Sequence, residues 1–162
     1  MAIQFSMKAE PHSHEIVTTC VIDAPRDLVF NAFVDAGLVE RWWGPKDLRT
    51  VVDTLDPWPG GKWRFLLNDS KGNEYAFSGV YHSIQEPERI VQTFENEGKP
   101  GRVILDTICF EEMTDRTLIT DRTIFQSIAD RDAVLEGNRE AGTSESMEAL
   151  SEMIATMRKV TF

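Results

Sequence analysis

The sequence has no apolar run approaching the roughly 20 residues that a membrane-spanning helix needs. Its longest purely apolar pieces are of the size of Leu66-Leu67 and Val103-Ile104-Leu105, so the chain reads as soluble. A basic head followed by an apolar stretch is also missing at the N-terminus, where Met1-Ala2-Ile3-Gln4-Phe5-Ser6-Met7-Lys8 stands instead, and the reading is cytoplasmic. Cysteine is scarce. Cys20 and Cys109 lack the paired spacing of a zinc site or a redox motif and are predicted to be buried free thiols. Positive charge is short, with 17 basic residues against 27 acidic and a net charge of −10. Such a chain repels nucleic acid and anionic membrane, and both are set aside as partners. No phosphate-cradling loop is present, because Gly60-Gly61 follows Pro59 and leads into a strand pattern, and there is no nucleophile-elbow sequence. His12 and His14 could share one side of an extended segment as metal ligands, but near a chain end an exposed strand start accounts for them. These residues call for no cofactor and no metal.

What remains is a chain of 162 residues, long enough for one domain with a substantial core. It is divided here into an N-terminal extension, 1–14, and a single domain, 15–162. Residues 15–22 are rich in β-branched side chains and read as a strand. Pro25 suits a first helical position, and Leu28, Val29, Ala32 and Phe33 recur at helical spacing. Asp35 can cap a second short helix that Gly44-Pro45 stops. From Leu48 the period becomes that of strands, over 48–55, 62–68, 74–85, 89–95, 102–112 and 117–125, with turn-rich links between them. Links that short favour an antiparallel meander. From Asp130 to Lys159 the residues Met147, Leu150, Ile154 and Met157 follow one face of an amphipathic helix, and Gly137 and Gly142 weaken its first turns. The fold class is α+β.

This order, with its motifs, resembles the START-like or Bet v-type (SRPBCC) superfamily, in the branch named after the C-terminal domain of the heat-shock protein 90 ATPase activator. The resemblance is carried by Ile22-Asp23-Ala24-Pro25, Arg41-Trp42-Trp43-Gly44-Pro45, Pro59-Gly60-Gly61-Lys62-Trp63-Arg64, Gly79-Val80-Tyr81, Pro87-Glu88-Arg89-Ile90-Val91, Phe110-Glu111-Glu112 and Glu145-Ser146-Met147-Glu148-Ala149-Leu150, from about residue 15 to 157. It implies a helix-grip fold, in which a curved antiparallel sheet of about seven strands wraps a long C-terminal helix and leaves a ligand-sized cavity. Proteins similar in this way include lipid carriers, polyketide cyclases and cochaperones, so the fold alone assigns no function.

Pairing the predicted strands yields candidate site residues. With a turn at Met113 to Asp115, Asp106 falls opposite Arg122; the neighbouring hairpins place Gln92 beside Asp106 and His82 beside Gln92. His82, Gln92, Asp106 and Arg122 then form one polar row on a mostly apolar face that includes Phe94 and Ile108. Charges on an inner face need partners or a ligand. Similar proteins carry apolar residues at these positions, so this chain departs from the family. Asp106 and Arg122 could equally be a self-satisfied ion pair, or a bulge near Gly79 or Gly101 could turn a strand outward. Trp42 and Trp63 read as core, Trp43 or Trp58 as the cavity mouth, and Met147, Leu150 and Ile154 as the helix wall.

The leading functional reading is binding of a small hydrophobic or amphipathic molecule with one anionic or carbonyl group, oriented by Arg122, His82 and Gln92. A cyclase or hydratase using His82 or Asp106 as acid–base and Arg122 as carbonyl polariser is the second. Stimulation of a chaperone ATPase is the third, and this chain has no room for the additional N-terminal domain that such activators, by resemblance, use to grip their chaperone. A homodimer stays open.

Overall fold

The computed structural model describes residues 3–160 with the exception of Asn138. Eight strands, β1 (Gln4–Lys8), β2 (Glu15–Ile22), β3 (Arg49–Leu55), β4 (Lys62–Asn68), β5 (Glu74–Gln85), β6 (Arg89–Asn96), β7 (Ile104–Met113) and β8 (Arg116–Ile124), form one antiparallel sheet. Their order is β1-β2-β8-β7-β6-β5-β4-β3. This is one strand more than the sequence predicts: β1 lies in the stretch read as an extension and pairs with β2 along the edge of the sheet. No helix among the described residues is long and apolar enough to cross a membrane.

Helices α1 (Arg26–Val34) and α2 (Ala36–Trp42) follow β2 as expected. Asp35 caps α2, its carboxylate accepting from the Leu38 N–H at 3.0 Å. Gly44, at φ +91°, lets the chain leave α2 in a conformation that L side chains resist. The Ser146 hydroxyl then holds that turn, accepting from the Gly44 N–H (3.1 Å) and donating to the Gly44 carbonyl (3.2 Å).

The predicted C-terminal helix is two helices, α3 (Ile128–Glu136) and α4 (Arg139–Val160), separated at Gly137. Ser127 caps α3 by accepting from the Asp130 N–H at 3.0 Å, a start signal that periodicity over 130–159 does not reveal. Buried Arg131 anchors α3 to the N-terminal segment, donating to the Glu10 carbonyl (2.5 Å) and the Ser13 carbonyl (2.7 Å). Such a guanidinium is tolerated inside because its donors meet acceptors.

Helix α4 lies across the concave face of the sheet and packs on α2 and α1, burying Met147, Leu150, Met153 and Ile154 with Phe30, Trp42 and Phe110 in the main core. Trp42 and Trp63 are core residues as expected, each satisfying its indole N–H on a carbonyl, of Ala32 (2.9 Å) and Thr93 (3.1 Å) respectively. The two cysteines are free thiols. Cys20 belongs to the inward face of β2 and Cys109 to the outward face of β7, and burial pushes the Cys20 thiol up to about 12.

Candidate functional site

Strand pairing decides which polar groups enter the interior, and it differs by one residue from the expected register. Only Thr114 and Asp115 form the β7–β8 turn, Asp115 at φ +57°, so Met113 pairs with Arg116, Asp106 with Thr123 and Thr107 with Arg122. A slip of one residue exchanges the faces of a strand. Arg122 therefore points out of the sheet, where its guanidinium meets Glu15 at 2.5 Å with more than half its side chain exposed. The Asp106–Arg122 pair does not exist. Asp121 takes the inward position instead, with Thr123 beside it.

A second correction concerns His82. A bulge between Tyr81 and Ser83 leaves His82 as the extra residue, exposed on the outside, while Tyr81 pairs with Gln92 and is buried. Gln92 does pair with Asp106, as the sequence predicts. The inner polar group is therefore Tyr81, Gln92, Asp106, Asp121 and Thr123.

Asp106 is the best-served carboxylate of this group. It accepts from the Thr123 hydroxyl at 2.9 Å, and Asp121 and Gln92 stand beside it as further hydrogen-bonding neighbours that favour its charged form. Burial raises its pKa, against the opposing charge of Arg139 and these hydrogen bonds. Asp121 is pushed up further, first by burial and then by the negative charge of Asp106, with only Arg139 pulling the other way. Its Oδ1 is buried and accepts no hydrogen bond from the described residues. An ionised oxygen left so would be costly. Asp121 is thus the member of the pair that keeps its proton to the higher pH. Burial also holds the Tyr81 phenol above its ordinary value.

Tyr81, Gln92, Asp106 and Asp121 face a cavity of about 700 Å³ between the sheet, α2 and the first turns of α4. Its aromatic wall comes from Phe33, Trp43, Trp63, Phe65, Phe77 and Phe94; Trp43 stands edge-on to Phe65 and Phe77, with centroids 5.1 and 5.6 Å away. Of the residues singled out from sequence, Trp43, Gln92, Phe94, Asp106, Ile108 and Met147 line this cavity. Leu150 and Ile154 lie in the packed core further along α4, and Trp58 is exposed on the β3–β4 loop. Asp121, Tyr81 and Arg139 were missed. For Asp121 the signal was present, since moving the turn by one residue brings it inward. Arg139 precedes the apolar stripe of α4 and opens that helix just after the break at Gly137. Its guanidinium sits 5.7 Å from the centre of the Phe94 ring. Among the described residues no group of His, Cys, Asp or Glu side chains is arranged to hold a metal ion.

Residues 23–155 match the family model described as activator of Hsp90 ATPase homolog 1-like protein. Solved structures share the fold. Protein Ms6760 from Mycobacterium smegmatis superposes with a TM-score of 0.84 at 20% identity, over 96% of this chain and 99% of that one. A protein from Rhodobacter sphaeroides gives 0.87 at 16% identity, over 94% and 99%. DynU16, from the dynemicin biosynthetic locus, gives 0.69 at 14% identity, over 89% of this chain and 48% of that one. At these identities the likeness is one of fold. No curated protein matches the sequence.

Proposed function

The chain belongs to the family of activator of Hsp90 ATPase homolog 1-like proteins, and from that premise we propose that it binds a small, mostly apolar molecule in the cavity between the sheet and α4. The observation that carries this reading is the cavity itself, about 700 Å³ with aromatic walls and, on the sheet, the polar group of Tyr81, Gln92, Asp106 and Asp121. Sites for small organic ligands have this character, apolar area for affinity and a few polar groups for orientation. Packing that leaves so large a space unfilled forgoes dispersion contacts, which a ligand restores.

Filling the space tests the proposal. Thr143 lines the cavity from the first turns of α4, and Thr143→Trp should occupy part of the volume without touching the core around Leu150. The expected outcome is a loss of affinity of about tenfold or more for an apolar probe such as naphthalene, read by tryptophan fluorescence, with the far-UV dichroism unchanged. Unchanged affinity in a folded variant would place the binding elsewhere.

A second reading, a cyclase- or hydratase-like enzyme, draws on the Asp106–Asp121 pair, since two carboxyl groups sharing one proton can act as base and acid in one site. The likeness to DynU16 is compatible with it. Turnover of a bound ligand, abolished by Asp106→Asn, separates this reading from simple binding.

A further inference from the structure

A smaller cavity of about 230 Å³ adjoins the large one, and the two share Phe77, Phe94, Gly137 and Arg139. Its floor is apolar, with Ile104, Phe125 and Val134 from the satellite core. Its rim is not. Lys99, Arg102 and Arg139 converge on it against the single carboxylate of Asp130, which stands 4.0 Å from Arg102. In a chain with a net charge of −10 this is a local inversion of sign, and it occurs where the two cavities meet at Phe77 and Phe94. Arg139 stands at the junction, stacked on Phe94 with its charge shared between the two compartments.

We infer that the ligand is an amphipathic anion, its apolar body in the large cavity and its carboxylate or phosphate head in the outer pocket against Arg139, Arg102 and Lys99. This rests on the binding reading above and adds the class of head group. It also moves the anion anchor from Arg122, which faces solvent on the other side of the sheet, to Arg139. Guanidinium groups suit the role because they offer planar paired donors to carboxylate and phosphate oxygens alike. Inside, the Asp106 carboxylate already accepts from the Thr123 hydroxyl and would repel an anion, so the head stays on the outer side of Arg139.

Probes sharing one decyl chain and differing in head group test this: decanoate, decyl phosphate, decanol and decylammonium, titrated by calorimetry at low salt. Decanoate or decyl phosphate should bind at least about tenfold tighter than decanol, in keeping with a charge-assisted hydrogen bond, and decylammonium weakest. The tighter of the two anions identifies the head group. Arg139→Met should shrink the anion preference to within about threefold while decanol binding holds. The exposed double variant Lys99→Gln, Arg102→Gln should reduce it without disturbing the interior, and Arg122→Met should leave it intact. Decanol binding as tightly as both anions, or an anion preference that survives both the Arg139 and the double variant, overturns the inference while leaving the cavity reading in place. If none of the four probes binds, both readings fall.

Discussion

Asp121→Asn is expected to be more stable than the parent protein at pH 7, by on the order of 1–3 kcal/mol, and to lose that advantage by pH 4. In the fold, desolvation and the negative charge of Asp106 hold the Asp121 carboxyl well above its ordinary value; in the unfolded chain it ionises at an ordinary value of about 3.9. Folding therefore takes up a proton above that pH. The raised folded value means that the contribution of Asp121 to stability is fully present below the unfolded pKa. It declines by about 1.4 kcal/mol per pH unit as pH rises, until the folded value is passed. Asparagine carries no such penalty, and its side-chain amide can donate to Asp106 as the protonated acid does. Urea denaturation of both proteins at pH 4, 5.5 and 7 checks the slope. An equal difference at all three values would mean that Asp121 is ionised in the fold. Asp106→Asn should weaken the acceptor of the Thr123 hydroxyl at every pH, and because burial raises the Asp106 pKa as well, that cost should shrink as pH rises.

Gly79→Ala is expected to destabilise the fold by roughly 3 kcal/mol or more. Gly79 lies opposite Trp63 in the β4–β5 pair, and the Trp63 indole reaches over it to donate to the Thr93 carbonyl at 3.1 Å. A methyl group there would stand 1.8 Å from the Thr93 oxygen and 2.5 Å from the indole nitrogen. One of these is backbone and the other a fully buried ring, so neither can yield cheaply. The variant should lose the indole's hydrogen bond along with its packing, visible as a red-shifted tryptophan emission beside the lower urea midpoint. Gly142→Ala is the contrast. It sits in α4 with nothing outside its own helix backbone within 4 Å of the added methyl, and it should stabilise by about 0.5–1 kcal/mol through helix propensity. Comparable losses at the two positions would show that the cost is one of backbone freedom and not of the close approach at Gly79.

The alternating strands and the stripe Met147, Leu150, Ile154 were readable because burying one face of an element imposes a period on its sequence. So was the cap at Asp35, which needs only a carboxylate at the right offset. The polar group was half readable. Gln92 and Asp106 pair as the sequence predicts because the β6–β7 link leaves the register of those strands unshifted, whereas Arg122 falls inside only if the β7–β8 turn takes three residues in place of two. Nothing local reveals that choice: Leu118 and Ile124 are as apolar as Ile119 and Phe125, so either face of β8 could pass for the inner one. His82 fails for another reason, since the bulge between Tyr81 and Ser83 shifts the register of β5 against β6 at residue 82 itself, and no turn or spacing signal in the sequence marks it. Arg139 depends on the break at Gly137. Position along a helix can be read from spacing, but a change of direction between two helices is set by what lies beneath them.

The two halves of α4 rest on different ground. Its later turns, around Leu150 and Ile154, are pressed into the main core, while its first turns, from Arg139 to Thr143, cover the cavity and have open space beside Gly142. Amide protons along a single helix should consequently exchange with solvent by two routes. Those in the later turns wait for global unfolding, whereas those in the first turns escape through local opening of a wall that has little packed behind it. The molecule can thus lift one end of α4 while the other holds the sheet, and a bound guest should slow exchange at the lifted end alone.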